Sequence, residues 1–168
     1  MGLADPTDIL NWRRLEPNLT TSGQPTEAQI AALAPLGVTR VVNLALHTHP
    51  RALPDEAASC AALGLDYVHI PVDFQAPDEA DYARFRQVMA ARGEACLHVH
   101  CIMNYRVSAF LYRWRREAQG WSEAAARAEL EGVWRPGGVW AAFIGDLARV
   151  SEPHLYAGEH YRAPRTGA

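Results

Sequence analysis

Short β-branched runs alternate with capped, helix-periodic segments along most of this chain, and that alternation limits the folds open to it. Strands separated by helices pair in parallel through right-handed crossovers. The expected architecture is therefore α/β: a three-layer α/β/α sandwich with a mainly parallel central sheet. "VTRVVNLAL" (38–46), "DYVHIPV" (66–72) and "ACLHVHC" (95–101) read as its strands, with "NWRRL" and "NLTTSG" as short edge strands. Thr26 and Gln29 form a capping box for a helix through about Pro35, and Gly37 suits its stop. Further helices are expected at "DEAASCAALG", after Asp78, over about 106–119, after Ser122, and over about 138–150.

At 168 residues the chain can bury one sizeable core, here assigned to a single domain over 11–150. Residues 1–10 and 151–168 are rich in Pro, Gly and polar side chains and are expected to be loosely held tails. A net charge of −3 argues against a nucleic-acid or membrane-surface partner, which would need a basic face, and the absence of lysine reads first as coding bias and second as a phosphate-binding surface. Three cysteines, none in a C-x-x-C pair, fit neither a disulfide framework nor a zinc site, and a cytoplasmic location is expected.

The chemistry concentrates in "HVHCIMNYRVS" (98–108), where a strand runs through Cys101 into a helix that opens at Arg106. A strand–loop–helix junction offers unpaired amides and the positive end of a helix dipole, and both favour an anion or a thiolate. In parallel sheets this carboxyl edge is also where ligands bind. Arg106 can present a planar fork to two phosphate oxygens. The backbone of Ile102, Met103, Asn104 and Tyr105 would complete the anion site. Asn104 is the one residue among them that takes a left-handed conformation cheaply. Ser108 would donate toward the sulfur or face the preceding helical turn, and His100 would organise the loop by hydrogen bonds to backbone. His98 and His100 could join His69 around a metal. No acidic or cysteine partner stands at ligand spacing, however, so no metal and no cofactor are expected.

"HVHCIMNYRVSAF" resembles the signature of the cysteine-dependent protein tyrosine and dual-specificity phosphatases. With "NLTTSGQPTEAQ", "GVTRVVNL", "ALPDE", "LGLDYVHIPVDFQAP" and "SAFLYRWR", the chain is similar over about residues 12–145 to the small bacterial phosphatase-like family also found fused to β-lactamase-like hydrolases. That resemblance implies a protein tyrosine phosphatase-like fold and a phosphomonoester hydrolase working through a phosphocysteine. Cys101 would be the nucleophile, Arg106 the phosphate holder and Asp73 of "PVDFQAP" the general acid, with Asp78 as its substitute. The substrate would be a phosphorylated small molecule or a phosphoprotein. The spacing departs from the resemblance, since four residues rather than five separate Cys101 from Arg106. The alternative is a catalytically impaired phosphatase fold that binds a phosphate-like anion or a phosphorylated partner. Arg51 and Glu56 of the "RALPDE" loop would face the same mouth. Tyr105, Phe74 and His47 or His49 would rim it. Trp134 and Trp140 would pack the last helices.

Overall fold

The computed structural model describes residues 2–163; Met1 and 164–168 lie outside the described residues. Its centre is a five-stranded sheet in the order β1-β2-β5-β3-β4. These strands are β1 (Arg13–Glu16), β2 (Leu19–Ser22), β3 (Arg40–Asn43), β4 (Asp66–His69) and β5 (Leu97–His100). Only the β1–β2 pairing is antiparallel. β2 was expected at an edge, but it lies inside the sheet, paired with β5 from Leu19↔Leu97 to Ser22↔His100. Its four residues are all buried, which a polar "LTTS" run does not advertise.

Alternation of side chains across the sheet divides the interior in two. Val41 joins Ile30, Leu33, Cys60 and Leu65 beneath α1 (Glu27–Ala31) and α2 (Glu56–Ala62). Val42, Leu97 and Val99 join the larger core beneath α3 (Glu79–Ala90), α4 (Tyr105–Glu117), α5 (Glu123–Glu131) and α6 (Gly138–Ile144). Trp114, Trp134 and Trp140 are its largest members, with Phe85 and Phe110 packed among them. Helices thus flank a mostly parallel sheet, as the alternation implied.

Local signals set the helix ends. The Thr26–Gln29 capping box forms, and Asp55, Asp78 and Ser122 cap α2, α3 and α5 through their side chains. α6 stops earlier than expected because Gly145 turns left-handed (φ 83°); a 3-10 turn follows over Leu147–Arg149.

Both tails are better held than their composition implied. Ile9 is buried in the smaller core, and Asp5 pairs with Arg14 at 2.6 Å. Beyond residue 150 the chain returns to pair β7 (Leu155–Tyr156) with β6 (Trp134–Arg135), and the Ala157 amide donates to Val133 O at 3.1 Å. The rings of His154, Tyr156 and Tyr161 and one ladder anchor this segment among the described residues, too few to register in its average polarity.

Candidate active site

β5 delivers Cys101 to the carboxyl edge of the sheet, between β2 and β3. Three further residues lead into α4, whose second residue is Arg106. Every carbonyl along this turn is held. His100 Nδ1 donates to Cys101 O at 3.0 Å, the Gln24 amide to Ile102 O at 2.9 Å, and Asn11 Nδ2 to Met103 O at 2.9 Å. Asn104 O takes the Ser108 amide at 3.1 Å, and Tyr105 O takes the Ser108 hydroxyl at 3.0 Å. A trans peptide points its N–H opposite to its C=O, so tethering these carbonyls outward turns the amides that follow them the other way. Among the described residues, no protein acceptor receives the amides of Ile102, Met103, Asn104, Tyr105 or Arg106.

Two residues permit this closure. Asn104 sits at φ 68°, the left-handed region that asparagine tolerates. Its side-chain amide donates outward to Asn11 O (2.9 Å) and Thr21 Oγ1 (3.0 Å) and leaves α4 uncapped. Gly23 lets β2 run against the loop, since a Cβ there would lie 2.4 Å from Ile102 O.

Beneath the loop lies a buried polar chain. His100 Nε2 meets Glu56 Oε2 at 2.6 Å, and Gln24 Nε2 donates to Glu56 Oε1 at 2.8 Å. Burial pushes the Glu56 carboxyl up, but the hydrogen bond and charge of His100, with Gln24, outweigh it and hold the group below its ordinary value. Because Cys101 O only accepts, His100 Nδ1 must carry a hydrogen. His98, on the same face of β5, lies between Thr20 Oγ1 (2.9 Å) and Ser22 Oγ (2.8 Å). Complete burial, with His100 nearby, keeps it well below the usual histidine range.

Arg106 is only 6% exposed. Its Nη1 donates to Val72 O at 2.9 Å, and its guanidinium lies 5.7 Å from the Phe74 ring centre. Among the described residues it has no carboxylate partner, and its buried Nε has no acceptor. A buried cation without an anion is costly, so this geometry favours a ligand of negative charge. Trp140 Nε1 donates to Phe74 O at 2.7 Å, which fixes the segment carrying Asp73 from the opposite side. Asp73 itself is exposed and accepts the Gln75 amide through Oδ1 at 2.8 Å.

Cys101, Arg106 and Asp73 line one open cavity of about 490 Å³. Ile102, Met103 and Tyr105 contribute to its floor and wall, with Phe74 and His49. Of the other thiols, Cys60 is pushed up to about 11 by burial and by Glu56 and Glu27, as befits an inert core residue.

Several expected positions differ. Ser108 donates to Tyr105 O rather than toward the sulfur and does not line the cavity, because helical geometry places its hydroxyl over the preceding turn. The Asn104 side chain also points away, to Asn11 O and Thr21 Oγ1, and Asn104 does not line the cavity. Asp78 is occupied as the α3 cap, bonded to the Asp81 amide at 2.8 Å. Glu56 is not at the mouth but under the loop, while Arg51 reaches the rim at Met103 Sδ, 3.6 Å away. His47 stacks on His69 with centres 3.6 Å apart and lies outside the cavity. Trp134 and Trp140 are fully buried packing residues, although the donor role of Trp140 carried no sequence signal. Asn11, Gln24 and Tyr156 also escaped the sequence reading, because each lies tens of residues along the chain from the cysteine loop.

Residues 6–134 match the family described as DSP-PTPase phosphatase fused to NAD+ kinase. A DUF442 protein of Shewanella putrefaciens CN-32, named as a candidate phosphatase, is 32% identical with a TM-score of 0.73; the match covers 84% of this chain and 93% of that one. TpbA of P. aeruginosa, crystallised with phosphotyrosine, is 27% identical with a TM-score of 0.61, over 77% of this chain and 75% of that one. The β-lactamase hydrolase-like protein of Agrobacterium fabrum is 32% identical over 91 residues, 52% of this chain. This chain accounts for only 21% of that relative's length. By the extent of these matches, the chain belongs to the DSP-PTPase phosphatase family.

Proposed function

We propose that this chain hydrolyses a phosphomonoester through Cys101. The observation that carries the reading is the buried Arg106 guanidinium, without a carboxylate partner among the described residues, sharing a cavity with Cys101 next to a run of unused amides. In the first step the Cys101 sulfur attacks phosphorus and the ester oxygen leaves, taking a proton from Asp73. Arg106 and the amides of 102–106 hold the three remaining phosphoryl oxygens as charge develops on them. In the second step Asp73 removes a proton from water, which attacks the phosphocysteine and releases inorganic phosphate and the thiolate. The complex of TpbA with phosphotyrosine supports a phosphorylated ligand for this chain too.

Hydrolysis of an aryl phosphate, compared between wild type and Cys101→Ser, tests the reading. Turnover that Cys101→Ser removes is expected; equal rates would overturn it. Asp73→Asn should lower kcat by about a hundredfold, and most for esters with poor leaving groups. If neither protein turns over, a phosphate-dependent rise in melting temperature that Arg106→Ala abolishes would identify an anion-binding module instead.

A further inference from the structure

One wall of the cavity comes from outside the family match. Residues 6–134 carry the match, yet Tyr156 of β7 lines the same cavity as Cys101 and Arg106. Its position is built rather than incidental. Tyr156 pairs with Trp134 across the β6–β7 ladder, its amide donates to His160 Nδ1 at 2.9 Å, and its carbonyl accepts the His160 amide at 2.9 Å. The returning chain is seated at Gly137, where a Cβ would lie 2.1 Å from Glu152 O, and the Gly137 amide donates to His154 Nδ1 at 2.9 Å. The Tyr156 ring stacks on Tyr105 at 4.9 Å and 25°, and Tyr105 stacks on Trp134 at 4.9 Å and 24°. The aromatic column therefore begins in the core and ends at the cavity, one residue from Arg106.

We propose that Tyr156 is a specificity-determining residue, which grips a flat, apolar leaving group while the cysteine loop holds the anion. Phe74, Met103 and Pro50 add further apolar surface to the cavity lining. Arg106 is the one arginine in the lining among the described residues, with Arg51 at the rim. A ring stacked on Tyr156 gains roughly three- to tenfold in affinity.

This inference rests on the anion site of the proposed function but not on turnover. Calorimetry with phenylphosphonate and methylphosphonate, neither of which is hydrolysed, reads it directly. Wild type is expected to favour the phenyl compound, Tyr156→Ala to reduce that preference roughly three- to tenfold, and Tyr156→Phe to retain it. Methylphosphonate affinity should stay within twofold in both variants, roughly the value for a site whose anion loop is intact. A preference unchanged in Tyr156→Ala, or no binding of either phosphonate to wild type, overturns it. Absent hydrolysis with the binding pattern intact would overturn only the phosphatase reading.

Discussion

The two faces of β5 use one short strand for opposite purposes. Leu97 and Val99 face the larger core with Phe85 and Phe110, an apolar surface whose contribution is burial. His98 and His100 face β2 and α2, where hydroxyls and a carboxylate meet each ring nitrogen that is not bonded to backbone. Satisfied buried polar networks contribute little net stability but restrict geometry severely. The apolar face therefore holds the strand in place, and the polar face aims the loop that leaves it.

The strongest way to separate fold from chemistry is at the residue where the two faces end. Cys101→Ser should remove hydrolysis by roughly a thousandfold or more while moving the melting temperature little, as steady-state kinetics and thermal unfolding would show. Leu97→Ala should do the reverse. Loss of a fully buried leucine costs about 2–5 kcal/mol in denaturant unfolding, with phosphate binding retained in the folded fraction. Equal loss of binding there would break the division between the faces.

On the polar face, Glu56→Ala removes the carboxylate that serves both His100 and Gln24. Buried polar nitrogens are then left without that partner, a cost of about 1–3 kcal/mol. Unlike Leu97→Ala, this change should also weaken phosphate binding, since the His100 ring loses the anchor that aims Nδ1 at Cys101 O. Phosphate titration of both variants makes the contrast directly.

The smallest expected effect concerns pH. His98 titrates well below its unfolded value of about 6.5, so between its folded and unfolded values the unfolded chain binds more protons. Its contribution is present above about pH 6.5 and is lost as pH falls toward the folded value. The limiting slope is about 1.4 kcal/mol per pH unit for one proton. His98→Gln should flatten the unfolding free energy against pH by up to one proton below pH 6.5. An unaltered slope would mean that His98 is not titrating against this environment.

Much of the fold was legible because its signals are local. Thr26, Asp78 and Ser122 announce helix starts through hydrogen bonds within a few residues, and the alternation of strand and helix restricts the topology. Asn104 could be identified as the left-handed residue from its type alone. The interior position of β2 was hidden, because a polar strand looks the same at an edge as between two partners. Ser108 stood near enough in sequence to reach the sulfur, and only helical geometry showed that its hydroxyl folds back to Tyr105 O.

By itself, then, the sequence determined the α/β class, the helix ends and the placement of Cys101 and Arg106 at a strand–helix junction. These depend on backbone conformation and hydrophobic period, which neighbouring residues specify. Only the tertiary structure decided what surrounds that junction: Glu56 under the loop, Asn11 and Gln24 on its carbonyls, Trp140 on the Asp73 segment and Tyr156 across the cavity. Each is a hydrogen bond or ring contact between residues tens of positions apart. Such partners are selected by packing rather than by spacing along the chain.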